Sequence, residues 1–323
     1  MLTQSSVRGV PTQVQRTLRP LRRGTGDPTY RVEYGPDDGP VNAVWRTSLT
    51  PEGPGTLRIR VGHDGAGAGA GAGGAGTGTG PGLASSDGEV EIAAWGEGAT
   101  WLIKQAPAIL GAEDDDTGFA ELAAAHPILA EAHRTRSHVR LVRTGQVMQA
   151  LIPAILEQKV TTQSAFAAWR RLVRKYGTPA PGPEWMPSDL YVMPEPHVWI
   201  LIPSWEWRRA EVDGKRAEAI IRACRRAPAL ERLAQAQVDE AAEKLKTIPG
   251  IGPWTAAETL QRSHGAQDLV SVGDLHLPRI ICGILGDPAD PDYAKYDDEK
   301  MLRLLAPFAP HRQRAVRLLL QKR

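Results

Sequence analysis

Residues 245–256 read Leu245-Lys246-Thr247-Ile248-Pro249-Gly250-Ile251-Gly252-Pro253-Trp254-Thr255-Ala256, and this stretch decides how the helical part of the chain folds. Asp239 to Thr247 before it and Pro253 to Ser263 after it carry apolar residues at helical spacing, so the glycine-rich segment is a hairpin between two amphipathic helices. Gly250 and Gly252 are expected to supply positive φ and close approach, and Pro253 suits the first turn of the second helix. The amides at that turn, from Gly250, Ile251, Gly252 and Thr255, form a place to hold an anion such as a phosphate. Such a contact positions a nucleic acid without reading its sequence.

Working outward, Gln146 to Leu156, Ser164 to Tyr176, Lys215 to Arg225 and Pro310 to Gln321 also read as helices. In the last, Val316, Leu319 and Leu320 share an apolar side while Arg312, Arg314, Arg317 and Lys322 form a basic exposed one. Toward the N-terminus the period changes. Thr29 to Tyr34, Val41 to Trp45, Thr56 to Val61 and Glu89 to Ala94 are candidate strands, the first and third with strict alternation, and Trp101 to Leu110 is a helix. The expected fold is α+β: residues 1–113 an antiparallel sheet domain with one solvated face, residues 114–323 an all-α body. Gly62 to Ser86 is dominated by glycine and alanine, lacks the lysine of a phosphate loop, and reads as a disordered insertion in the sheet domain.

Composition narrows the function. The 323 residues, 41% apolar, suffice for ordinary cores, and a net charge of +2 leaves the distribution of charge more informative than its total. Two cysteines, Cys224 and Cys282, exclude a disulfide framework and a four-thiolate iron–sulfur cluster within one chain. The eight histidines form no zinc pattern, so no catalytic metal or other cofactor is expected. With no apolar run of membrane-spanning length and no signal-peptide pattern, the chain reads as a cytoplasmic protein without a membrane partner.

Downstream of the hairpin stands Ser271-Val272-Gly273-Asp274-Leu275-His276-Leu277-Pro278. Hairpin and aspartate together resemble the helix-hairpin-helix superfamily of DNA glycosylases, in which the aspartate faces the sugar of a flipped nucleotide. Asp274 and His276 stand at the matching positions. Cleaving the bond between base and deoxyribose develops positive charge on the sugar, which a carboxylate stabilises while orienting or deprotonating the attacking water. Aspartate is also a preferred helix cap, so capping of the helix near Leu275 is the competing role for Asp274. Bifunctional members carry a lysine two residues beyond the second hairpin glycine; Trp254 occupies that place and implies no lyase step.

The alkylated-base branch, typified by the bacterial 3-methyladenine glycosylase II, is similar over most of the chain. Its shared helices resemble Ala154 to Val160 and Lys215 to Ile220. The resemblance implies a nucleoid-associated monomer that binds damaged double-stranded DNA, flips one nucleotide and hydrolyses N3- or N7-alkylpurines from it. Gln158 and Lys159 stand where the wedge is presented, with lysine replacing the usual leucine. Trp254, Trp205 and Trp207 are the aromatics expected near the base, although tryptophan is as readily core. Glu258 and His311 replace aromatic pocket residues; Glu258 either attracts a cationic base or pairs with a basic neighbour. His311 and Arg312 are candidate DNA contacts, and the carbonyls of Ile248 and Gly250 are candidate ligands for a structural monovalent cation. The rival readings are a glycosylase for bulkier, oxidised or deaminated purines and a DNA-damage-binding module without chemistry.

Overall fold

The computed structural model describes residues 2–7, 13–35, 39, 41–61, 90–289 and 294–321. The glycine-rich segment read as an insertion lies outside them. The chain begins with β1 (Leu2–Val7) and a short α1 (Val14–Leu18), followed by β2 (Tyr30–Tyr34), β3 (Val41–Thr50), β4 (Gly53–Val61) and β5 (Val90–Gly96). These strands form one antiparallel sheet in the order β1-β5-β4-β3-β2, with Val61 opposite Val90. β1 has no counterpart among the four strands read from the sequence. The inner face follows the alternation: Tyr30, Val32, Val44, Leu57, Ile59 and Ile92 bury against Leu102, Ala106 and Ile109 of α2 (Ala99–Ile109).

The other face is not simply solvated. A segment from the helical body crosses it, and Trp185 meets Trp45 and Trp95 with ring centroids 5.4 and 6.0 Å away. Arg58 lies over the rings of Trp45 and Trp185 and is fixed by Glu33 at 3.3 Å. Three aromatics and a cation cover one another there.

The helical body comprises α3 (Phe119–Ala124), α4 (Pro127–Arg136), α5 (Val147–Leu156), α6 (Thr162–Tyr176), the two-residue strands β6 (Thr178–Pro179) and β7 (Tyr191–Val192), α7 (Pro196–Leu201) and α8 (Ser204–Arg209). It continues with α9 (Gly214–Cys224), α10 (Ala227–Arg232), α11 (Val238–Lys246), α12 (Pro253–Ser263), α13 (Leu277–Leu285), α14 (Asp298–Leu305) and α15 (Arg312–Leu320). It holds two cores. One gathers residues from α5 to α12 around α5, which is apolar except for Gln149 and buried accordingly. The other joins α3 and α4 to α13, α14 and α15, so the chain returns from its C-terminal part to the segment after the sheet.

Arg314 of α15 ties this second core down. It holds Asp114 through both nitrogens, at 2.8 Å and 2.5 Å, and donates to the Asp115 carbonyl; the side chains of Arg314 and Asp114 are only 4% and 2% exposed. Arg312 binds Asp268 in the same bidentate manner. The basic outer side expected of this helix is therefore largely neutralised inside the protein, and Lys322 lies outside the described residues.

Candidate functional site

The hairpin joins α11 to α12. Ile248 and Ile251 sink into the core at 1% and 5% exposure, which turns the glycines between and beside them outward. Gly250 has φ +96°, and a Cβ there would lie 2.8 Å from that of Ala219, so this position requires glycine twice over. Gly252 departs from the expectation of positive φ: it is the extended N-cap of α12 at φ −101°, and a Cβ on it would meet open space. Nothing inside the protein demands a glycine there, so its bareness leaves the α12 amides approachable from outside. Gly250→Ala is expected to cost about 1–3 kcal/mol, from strain plus overpacking, measured by urea denaturation; an unchanged midpoint would contradict the geometry.

Gln158 spends its amide on the hairpin, donating to the Gly250 carbonyl at 2.9 Å and the Thr255 hydroxyl at 2.8 Å. It therefore braces the hairpin against the turn after α5, and Thr255, 2% exposed, has no side chain left for DNA. Beside it Lys159 is exposed and held at φ +56°, one of only two non-glycine residues with positive φ among those described. Such a conformation costs roughly 1 kcal/mol or more and persists where the surroundings enforce it.

Asp274 follows Gly273, whose φ is +89°. Its Oδ1 accepts the amides of His276 and Leu277, both at 2.8 Å, and its Oδ2 accepts the Trp254 indole N–H at 3.0 Å. Capping and cavity placement are thus one arrangement: the helix end fixes one oxygen, α12 fixes the other, and the carboxylate lines a cavity of about 270 Å³. α12 also grips the loop leading to Asp274, since Gln261 donates to the Leu269 carbonyl and the Ser271 hydroxyl, both at 2.9 Å. Ser271 in turn donates to Glu258 at 2.5 Å.

Glu258 lines the cavity but is already paired, with Arg262 at 2.7 Å. Burial works to lower the Arg262 pKa, yet the Glu258 and Glu157 carboxylates outweigh it and leave it raised. His276 also lines the cavity, on its exposed side. Other expected site residues lie elsewhere. Trp207 is 3% exposed and stacks on Trp199 at 5.9 Å, with its indole N–H on the Ile202 carbonyl, so it is core. Trp205 is 64% exposed and takes no part in the cavity wall. His311, 2% exposed, bonds the Thr117 carbonyl and packs edge-on to Phe119; burial removes it from any DNA surface. Arg312 is committed to Asp268.

Of the wall residues, only Glu258, Asp274 and His276 were read from the sequence as site residues; those that escaped include Pro20 from the sheet domain, Arg140, Arg262 on α12, and Gln313 and Arg317 on α15. Gln313 and Arg317 stand four residues apart, one helical turn, which was the available signal. Arg317 is depressed to about 9 by burial first and then by Arg262 and Arg19. Among the described residues no group of three or more His, Cys, Asp or Glu could hold a metal, and no helix is long and apolar enough to cross a membrane.

Comparison with solved structures gives the class: the fold is that of the helix-hairpin-helix DNA glycosylases. The chain is similar to a 3-methyladenine DNA glycosylase from Archaeoglobus fulgidus, with TM-score 0.69 and 16% identity over 98% of this chain and 97% of that one. It is similar also to the apo form of Clostridium acetobutylicum 8-oxoguanine glycosylase/lyase, with TM-score 0.66 and 14% identity over 99% and 98%. In sequence it matches the DNA-3-methyladenine glycosylase of Bacillus subtilis (strain 168) at 26% identity over 154 residues, 46% of this chain and 50% of that protein. The match thus spans about half the length of that curated relative. No family model matches the chain.

Proposed function

We propose that this protein is a monofunctional DNA N-glycosylase that flips a damaged purine from double-stranded DNA and hydrolyses its glycosidic bond. The observation that carries the reading is Asp274, held by a helix end and an indole N–H at the wall of a cavity of about 270 Å³. That volume of about 270 Å³ lies just below the roughly 300–1,000 Å³ of ligand sites, which suits one base and not a larger ligand. The hairpin amides beside Gly252 hold a backbone phosphate, and a nucleotide extruded from the stack enters the cavity with its sugar facing Asp274. As the bond to the base breaks, the carboxylate stabilises the cationic sugar and orients the water that attacks it. Trp254 supplies no amine, so no Schiff base forms and the product is an abasic site.

N3- and N7-alkylpurines are the substrates this reading favours, because their positive charge makes the base a good leaving group and both a sequence relative and a structural neighbour carry 3-methyladenine in their names. Oxidised or deaminated purines are the second reading, favoured by a wall without Trp, Tyr or Phe among its lining residues. The test is single-turnover release of 7-methylguanine and 3-methyladenine from alkylated duplex DNA with borohydride trapping alongside. Release without a trapped adduct is expected; a trapped adduct would refute monofunctionality, and no release of any lesion base would leave a DNA-damage-binding module.

No cofactor takes part. The Ile248 and Gly250 carbonyls accept bonds from the Ile251 amide and Gln158 and keep a second lone pair each, through which a monovalent cation would brace the hairpin. Lys159 fills the gap left by the flipped base, its stem in the stack and its ammonium toward a phosphate. Lys159→Ala is expected to lower both single-turnover rate and DNA affinity about tenfold, the scale of one stacking contact; unchanged values of both would remove it from flipping.

A further inference from the structure

A second cavity, of about 20 Å³, lies where the sheet domain meets the helical body. Arg23, just before β2, and Arg46 of β3 line it from the sheet domain and Arg262 of α12 from the body, with Leu21, Pro153 and Trp169 as apolar wall. No Asp or Glu lines it. Two of the three cations are balanced nearby, Arg23 by Glu157 at 3.2 Å and Arg262 by Glu258 at 2.7 Å. Arg46 is not. It is 5% exposed, makes no ion pair among the described residues, and spends one hydrogen bond, from Nη1 to the Ser48 hydroxyl at 2.6 Å. Asp27 acts on it only from a distance, because its two oxygens already accept the Arg23 and Thr29 amides, the Thr29 hydroxyl and the Trp169 indole N–H. Burial depresses the Arg46 pKa to about 10, which leaves the group charged at neutral pH.

The spare donors are open rather than sealed. Nε and Nη2 of Arg46 and Nη2 of Arg23 make no hydrogen bond among the described residues, yet they keep accessible surface, and the cavity is the space these side chains line. A buried charge without a counter-charge is costly, and protein interiors pair such groups. About 10–15 Å³ of such space holds one water, so the cavity admits a single small particle and excludes a phosphate or an organic acid.

We infer that this cavity binds one monatomic anion, of the chloride or bromide class, as the counter-ion of Arg46. The free N–H groups of Arg46 and Arg23 donate to it. A water molecule in the same place would meet the donors but leave the charge unbalanced. The anion joins two arginines of the sheet domain to Arg262, which lines the Asp274 cavity as well, so it fastens the two parts of the chain together behind the candidate functional site. The inference goes beyond the glycosylase reading and stands independently of it.

The experiment follows melting of the full chain in sodium chloride and in sodium gluconate, whose anion is too large for the cavity, at equal ionic strength, for wild type and Arg46→Met. A ligand that binds only the folded state stabilises it with the logarithm of its concentration, so the wild-type Tm should rise by roughly 3 °C for each tenfold of chloride above its dissociation constant. Gluconate should give no such rise, and Arg46→Met should respond alike to both salts. Wild-type crystals soaked in sodium bromide should show an anomalous peak among Arg23, Arg46 and Arg262, a measurement that needs no variant to fold. Absence of that peak, with water fitting the density, would overturn the inference, as would Arg46→Met keeping the wild-type response to chloride. A bromide peak with equal wild-type melting in the two salts would mean an adventitious ion only, and would overturn it too. Base release takes no part in these readouts, so the glycosylase reading is tested separately.

Discussion

Asp274→Asn is expected to lower single-turnover base release about 10²- to 10⁴-fold, the range over which positioned acid–base and electrostatic groups act. The substitution isolates the charge. Asparagine is as good a cap as aspartate, so its Oδ1 can still accept the His276 and Leu277 amides and α13 should begin where it does now. The opposite side changes character: with Oδ1 kept on the cap, the group facing the Trp254 indole N–H is the amide NH2, a donor that neither accepts that bond nor balances a cationic sugar. DNA affinity and thermal stability should therefore stay near wild type while release collapses. Asp274→Ala makes the contrast, since it removes the cap as well and should cost a further ~1 kcal/mol of stability. Release by Asp274→Asn within a few-fold of wild type would show that another group carries the chemistry.

The largest effect on folding is expected from Asp114→Ala. Removing the carboxylate strands the Arg314 guanidinium at 4% exposure, with the Asp115 carbonyl at 2.9 Å still bound to it. Breaking a buried pair by deleting one partner costs roughly 3–5 kcal/mol, and the surviving carbonyl bond places this case near 3. The same carboxylate also accepts the Leu141 amide at 2.9 Å, so that donor loses its partner too. Urea denaturation should show the loss, with Tm lower by roughly 10 °C. A loss below about 1 kcal/mol would mean that α15 is seated by its apolar side alone.

The parts of the site readable in the sequence are those whose geometry is local. Gly250 and Pro253 bracket a hairpin because backbone sterics act within a few residues, and Asp274 stands two and three residues before the amides it caps. Alternation in Tyr30–Tyr34 and in Thr56–Val61 placed two strands correctly for the same reason. Where the reading failed, the deciding partner was far away in sequence. Trp207 and Trp254 are both helical tryptophans; one stacks on Trp199 in the core and the other reaches Asp274, and helical spacing does not distinguish them. His311 and Arg314 looked like a DNA-facing side, but Thr117 and Asp114, nearly two hundred residues earlier, draw them inward. The outer face of the sheet looked solvated because Trp185 comes from the helical body.

By itself, then, the sequence determined the helical hairpin, the aspartate after it, and the division into a sheet part and a helical part, since each follows from periodicity, caps and turn chemistry. Only the tertiary structure decided which polar groups face the cavity. Arg314 and Arg317, three residues apart on α15, differ not in type but in what long-range packing leaves beside them: the first meets the Asp114 carboxylate in the interior, and the second lines the cavity with no ion pair among the described residues.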